Sequence, residues 1–506
     1  MNSILFSVYF AWLFNVIESA NYAVLMDGGS TGTRVYIYKW LDKAPLDTID
    51  EVARKRTHPG LSSFVHNPNH VEQQISNLLE TAKKYVPRNQ WSVTPVSLKA
   101  TAGLRSLSIL QQHDIIQAAQ RACNNSVFSF QASHTRVISG KEEALYDWLA
   151  VNVAYKTYKT GEYYGAVDMG GSSKQIAYAI STSTYNSYKN TNYPNNHSQP
   201  MISSISSQCT PDWMIHLPQH GIDQSIAVYS RSVTGFGLID SMNDLLFTNI
   251  TNSDMTTTHC LSDGHGEHID SCREWTHPCL APGEYPPGEI HRFDFGIFGA
   301  GNFNRCRELI KQLLIPKSVN VVNPECVKAH KPSNIIGMDN FPKLFTMLHL
   351  DTYQPENIDI SVIEKRGISV CNRPWQDLLD DFPGYQEYRA QRACFGAAYI
   401  YVLMTEMYGL ERKELNELNE SIEISSYKKN NHIDLFAAVD SIGDHELSWA
   451  LGAAVYLSLG YDEPVPYIAS EDLYTEGLSS SDSVSEISSS PSRANILDST
   501  TMKLVS

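Results

Sequence analysis

The chain has 506 residues, 42% hydrophobic and 19% charged, which gives it material for a large core and excludes a disordered, fibrous or disulfide-only scaffold. Its 39 basic and 55 acidic residues leave a formal charge of −16, which opposes any broad footprint on a nucleic acid backbone.

Taken in chain order, Ile4 to Ile17 is a nearly uncharged apolar run of about fourteen residues, short for a bilayer span and suited to a signal-peptide core. Residues 1–20 therefore read as a signal peptide, and the protein as secreted. Residues 1–17 carry no Lys or Arg, and Glu18 lies close to the expected cleavage after Ala20. An uncleaved N-terminal anchor, and with it a place in the secretory-pathway lumen, is the alternative; a buried first helix is weakened by the strand pattern that starts at Tyr22.

Val24 to Arg34 reads Val-Leu-Met-Asp27-Gly28-Gly29-Ser30-Thr31-Gly32-Thr33-Arg34. Ala166 to Gln175 repeats the pattern as Ala-Val-Asp168-Met-Gly170-Gly171-Ser172-Ser173-Lys174-Gln175, with the two aspartates 141 residues apart. Each is followed by a run rich in β-branched and aromatic residues, Val35 to Trp40 and Ile176 to Ile180, so each unit is predicted as strand, glycine-rich turn, strand. Glycine lets backbone N–H groups converge on an anion, and Ser and Thr hydroxyls add donors. An aspartate beside a phosphate chain would repel it unless a hydrated divalent cation lies between them. One such turn is an ordinary hairpin; two at a domain's separation suit a two-lobed nucleotide-binding fold.

Between the hairpins, Leu98 to Arg105 is a strand running into a small-residue turn, where Thr101 and Arg105 could donate to phosphate or water. Arg105 serves equally as a structural ion-pair residue. Val137 to Leu149 is a strand end entering a helix. Ser139 with Glu142 three residues on has the capping-box spacing, and Ala144, Leu145, Trp148 and Leu149 form its apolar stripe. Glu143 is then unassigned: it either faces solvent in the first turn or faces a cleft and takes a proton from an attacking water.

Further on, Ala397–Met404 and Trp449–Leu459 are predicted as buried helices. Ser470 to Ser506 is Ser-rich and acidic, a tail expected to stay disordered over 471–506. Nine cysteines without tight metal spacings favour disulfides and leave one thiol over. Asn124, Asn196, Asn249 and Asn419 each begin an N-x-S/T glycosylation acceptor.

Five segments, in this order, resemble the five apyrase signature regions of the nucleoside triphosphate diphosphohydrolase family: Asp27–Arg34, Thr101–Arg105, Ser139–Trp148, Asp168–Gln175 and Ser448–Gly452. The resemblance implies an α/β fold of two actin-like (ribonuclease H-like) lobes with the nucleotide cleft between them. Lobe I would be 22–142 plus 444–470, the last helix returning to it, and lobe II 143–443. It implies removal of terminal phosphate from nucleoside tri- and diphosphates by direct attack of water, with Ca²⁺ or Mg²⁺ required. Glu143 resembles the general base, Thr101 and Gln175 the groups that position the water, and Asp27 and Asp168 the carboxylates that orient the metal's waters. The phosphate-binding set would be Ser30, Thr31, Gly32, Thr33 and Arg34, then Gly170, Gly171, Ser172, Ser173 and Lys174, with Trp449 at the head of the last helix.

The chain departs from the family pattern at Gly28, Leu104, Ala144 and Lys174, where Ala, Met, Gly and Thr are usual; strand alternation relative to Ser173 and Gln175 turns Lys174 toward solvent. Phe345 and Cys394 to Tyr399 are candidates for the aromatic wall that holds the base, and Cys371 with Cys394 resembles a family disulfide. The implied function is a secreted apyrase. The alternatives are a lumenal UDP- or GDP-preferring diphosphatase and, in another class, a non-catalytic actin-fold nucleotide-binding module.

Overall fold

The structure, a computed structural model, describes residues 20–43, 45–180, 209–219, 222–248, 255–269, 295–319, 321–332, 334–350, 360–381, 390–410, 435–443 and 445–461. Residues 1–19 of the expected signal peptide 1–20, the Ser-rich tail, Cys272, Cys279 and the acceptor sites at Asn196, Asn249 and Asn419 lie outside the described residues.

Strands β1 (Ala20–Gly28), β2 (Thr33–Leu41), β3 (Asp50–Thr57), β4 (Pro95–Ala100) and β5 (Ser129–Val137) form one sheet in the order β3-β2-β1-β4-β5. Side chains alternate across a strand, and here both faces are covered. Val24, Met26, Val35 and Ile37 pack with helices α1 (Asn69–Ala82) and α2 (Ile109–Asn124), while Ala23, Leu25, Tyr36 and Tyr38 join a separate core on the opposite face. Ser108 and Gln111 close a full capping box at the start of α2.

The second sheet holds β6 (Gly165–Met169), β7 (Ser173–Ile180), β8 (Trp213–Gln219), β9 (Ile222–Thr234), β13 (Asn334–Asp339) and β14 (Leu435–Ala438), in the order β14-β13-β6-β7-β9-β8. Three strands between them, β10 (Met255–Thr258), β11 (Gly266–Ile269) and β12 (Phe295–Gly299), make a small separate sheet. Reading β6, β7, β9, β13 and β14 against β1, β2, β3, β4 and β5 gives the same spatial order and the same pairing senses: antiparallel 1–2 and 2–3, parallel 1–4 and 4–5. Strand β8 is an added edge. The duplication first visible in two glycine loops thus extends over whole sheets.

Two helices join the halves. Helix α3 (Gly140–Ala154) follows β5 of the first sheet yet lies against β6, β7 and β9 of the second. The last described helix, Trp449–Ser458, follows the second sheet and lies against β1 and β2 of the first, and the two helices pack on each other. Gly452 allows the close approach, since a Cβ there would stand 1.7 Å from the Tyr146 carbonyl oxygen. Both helices are buried on nearly every face, so their sequences are apolar all round rather than striped.

The second sheet's other face carries the largest core, built with helices α4 (Leu238–Thr248), α5 (Phe303–Leu313), α6 (Asn340–Met347), α7 (Ile360–Cys371) and α8 (Ala393–Val402). Cys371–Cys394 ties α7 to α8 as the family resemblance implied; Cys209–Cys326 and Cys260–Cys306 add two further bridges. Cys123 is a buried free thiol. The expected aromatic wall is corrected here: Phe341, Phe345, Phe395 and Tyr399 are fully buried in this core, with Phe341 and Phe345 against Phe436 and Phe395 against Tyr399, so none offers a face to a base.

Candidate active site

The two glycine loops meet. Asp27 at the end of β1 pairs across its hairpin with Arg34, and Asp168 on β6 pairs in the equivalent register with Gln175. A Cβ on Gly171 would stand 2.9 Å from the Ser30 hydroxyl, and one on Gly103 would stand 2.7 Å from the Ser30 Cα. Glycine at these positions is what lets the first loop, the second loop and the turn after Thr101 come together.

Around that meeting point the polar atoms sort themselves. Glu143 sits in the first turn of α3, 7% exposed. Its Oε2 accepts from Arg105 Nη2 at 2.8 Å and from Gln175 Nε2 at 3.0 Å. Both donors also hold the Ser173 hydroxyl, at 3.2 and 2.7 Å, and Arg105 Nη1 donates to the Ile138 carbonyl at 3.1 Å. Burial raises the Glu143 carboxyl above the usual range, and Arg105 only partly offsets it. Arg105 is therefore an ion-pair residue, and its partner is the candidate base.

Glu142, next in the chain, turns the other way. Its carboxylate takes a bidentate pair with Arg136 at 2.6 and 2.8 Å and a 3.0 Å hydrogen bond from Tyr146. Ser139 does cap the helix by accepting from the Glu142 N–H at 3.1 Å. The reciprocal half of the expected capping box is not made, because Arg136 claims the Glu142 side chain.

Asp27 Oδ2 accepts from Arg34 Nη1 at 2.9 Å, while its buried Oδ1 has no partner. Burial pushes Asp27 up to about 6 against the pull of Arg34. Asp168 Oδ1 is likewise buried and unpartnered, and burial together with Asp339 raises this carboxyl well above its ordinary value. Orphaned acceptors of this kind fit a hydrated divalent cation, whose waters donate. No group of three or more His, Cys, Asp or Glu side chains among the described residues is arranged to hold a metal ion by itself.

The other expected residues fall into three groups. Thr101, buried, closes β4 beside Gly28, whose carbonyl accepts its N–H at 3.3 Å, and Ser30 and Thr31 lie at the loop junction. Gly170 and Gly171 present carbonyls to the start of α4, Gly170 accepting from Leu238 at 2.9 Å and Gly171 from Ile239 at 3.0 Å, while the Ser172 carbonyl accepts from Gly235 at 2.7 Å just before it. Thr33, by contrast, gives its hydroxyl to Gln74 at 3.0 Å, and Gly32 fits under Arg56 and His58. Trp449 is buried, stacked on Tyr146 with ring centroids 6.2 Å apart.

Lys174 corrects the expectation of a solvent-facing cation. It is 3% exposed, its Nζ has no hydrogen-bond partner, and it lies 5.3 Å from the Phe236 ring and 5.9 Å from Tyr399. Alternation in β7 turns it away from Ser173, but that face of the sheet is core and not water.

Two acids escaped the sequence reading. Asp339 ends β13 in a left-handed conformation, φ +54°, strained for a residue with a side chain. Burial works against its charge, but Lys343, bound to it, and Arg34 outweigh burial and hold the carboxyl below its usual range. Asp147 lies one turn beyond Glu143 on α3. The signal for Asp339 was present: like β1 and β6, β13 runs apolar residues into an aspartate at its end.

The GDA1/CD39 (nucleoside phosphatase) family pattern matches residues 15–463. Among relatives, the chain is 25% identical over 450 residues to the probable apyrase 3 of Arabidopsis thaliana, covering 86% of this chain and 82% of that protein. It is also 25% identical over 483 residues to the nucleoside-diphosphatase mig-23 of Caenorhabditis elegans, covering 87% and 77%. A solved nucleoside triphosphate hydrolase from Neospora caninum superposes with a TM-score of 0.60 at 15% identity, over 90% of this chain and 96% of that one, which supports the two-lobed α/β fold.

Proposed function

Because the chain belongs to the GDA1/CD39 (nucleoside phosphatase) family, we propose that it is a secreted apyrase in which Glu143 is the general base for hydrolysis of nucleoside tri- and diphosphates. The observation that carries this reading is the placing of one buried, raised-pKa carboxylate at the junction of two glycine loops, gripped from one side only. Arg105 and Gln175 both use Oε2, which leaves Oε1 for the water's proton.

In the proposed reaction, water attacks the terminal phosphorus while Glu143 takes its proton. The bond from phosphorus to the bridging oxygen breaks, and the shortened nucleotide leaves with the electron pair. A carboxyl raised by burial is a stronger base than one in water. Ser30, Thr31 and the second loop would hold the phosphates, and Thr101 with Gln175 would fix the water. Asp27 and Asp168 would hold a Ca²⁺ or Mg²⁺ ion through its waters, and that ion would supply charge neutralisation on the phosphates. Arg34 Nη1 and the Thr33 hydroxyl brace the first hairpin by donating to Asp27 and Gln74.

Three disulfides among the described residues and an exposed Asn124 acceptor site support an oxidising, secretory location. Among the described residues no helix is long and apolar enough to cross a membrane. The match to a nucleoside-diphosphatase supports a second reading, a nucleoside diphosphatase built on the same site.

Glu143→Gln tests the assignment: kcat should fall about 10²–10⁴-fold with nucleotide binding retained. Near-normal turnover would remove Glu143 from the base role.

A further inference from the structure

Asp147 is a buried acid that the proposed reaction does not use. It is 1% exposed, and neither Oδ1 nor Oδ2 has a hydrogen-bond partner among the described residues. Residues four apart share a helix face, so Asp147 leaves α3 on the side of Glu143. The groups acting on it most strongly are Asp168, Glu143, Asp339 and Asp27, all acids. The cations nearest these acids already have partners: Arg34 with Asp27, Arg105 with Glu143, and Lys343 with Asp339.

A buried carboxylate without donors is costly, and it is relieved by a proton, a donor or a cation. Among the described residues Asp27 Oδ1, Asp168 Oδ1 and both Asp147 oxygens all lack a partner, and Asp147 feels the charge of the other two acids. One proton shared by Asp147 and Asp168 would satisfy a single contact between them and leave the rest unmet. A hydrated divalent cation brings several O–H donors and two positive charges to the same place.

We propose that Asp147 is a third carboxylate of the divalent-cation centre, accepting from water in the ion's hydration shell alongside Asp27 and Asp168. It is a positioning residue: it acts on the cation's shell and not on the reacting phosphorus. The proposal rests on the reading of this site as metal-dependent.

The test uses the full chain with Mn²⁺ alone as probe, its affinity measured by electron paramagnetic resonance or calorimetry, beside the thermal midpoint in EDTA. Asp147→Asn should weaken Mn²⁺ binding about tenfold and should raise the metal-free midpoint, because an uncompensated buried acid is gone. Asp147→Ala, which keeps helix propensity, should behave likewise and guards against a folding defect peculiar to Asn. Unchanged Mn²⁺ affinity in both variants, with Asp168→Asn weakened, would overturn the proposal and leave the metal-dependent reading standing. Unchanged affinity in all three, or no Mn²⁺ binding by the wild-type chain, would overturn both.

Discussion

The hairpins β1–β2 and β6–β7 share a register and diverge in what they do with it. Asp27 faces Arg34, which takes one carboxylate oxygen and limits the rise of its pKa to about 6. Asp168 faces Gln175, but Gln175 donates away from it, to Glu143 and Ser173. One hairpin balances its own charge; the other leaves its acid open and uses the opposite position to hold Glu143, the proposed base. Two hairpins of matching register thus differ in the residue opposite the aspartate, and under the proposed function that difference leaves Asp168 the more open acid.

The largest effect short of removing the base should come from the open hairpin. Asp168→Asn should lower divalent-cation affinity, and with it activity at limiting Mg²⁺, by about 10–100-fold. Asp27→Asn should lower them less, since Arg34 already occupies half of that carboxylate; equal losses measured by titrating Mg²⁺ would erase the distinction.

Stability should run the other way. Asp27→Asn leaves Arg34, largely buried, without its partner and should cost about 1–3 kcal/mol in denaturant unfolding. Asp168→Asn breaks no ion pair and should leave metal-free stability unchanged or higher. A matching loss in both would show that Asp168 has a structural partner after all.

Much of this was legible because it is local. The Asp-x-Gly hairpins, the strand-to-helix entry at Ser139 and the two apolar helices are written in consecutive residues, and each forms where the pattern places it. Glu142 and Glu143 were told apart in the sequence by a capping-box spacing of which only half is made. Arg136 and Arg105, which sort them, arrive from β5 and from the turn after β4, and only the fold brings them to neighbouring residues. Asp147 was hidden by its helix: an acid in a run that is apolar all round reads as a solvated position until both faces prove buried. Lys174 failed for the same reason, since alternation gives the face of a strand and not what covers it.

Glu142 offers a smaller test of that sorting. Glu142→Gln weakens the Arg136 pair and should cost about 1 kcal/mol of stability with little change in kcat. A loss of turnover rivalling Glu143→Gln would exchange the two roles.

Lys174 should give the smallest effect, confined to pH. Burial lowers its pKa from 10.5 to about 7, so between these values the unfolded chain binds the extra proton and stability rises with pH. Below about 7 both states are protonated, and the full penalty of a buried cation is present. Lys174→Met should therefore raise the thermal midpoint most at pH 6 and least near pH 10. A midpoint shift independent of pH would mean that Lys174 is solvated.

The proposed site hydrolyses nucleotide phosphates at the junction of the two hairpins. Phosphate release by the purified chain from Asn21 onward, with ATP, ADP, UDP and GDP compared in Ca²⁺, in Mg²⁺ and in EDTA, tests it most directly. Cation-dependent release from both ATP and ADP is the result predicted. Release from UDP and GDP alone would select the lumenal diphosphatase reading, and no release from any nucleotide would contradict the account.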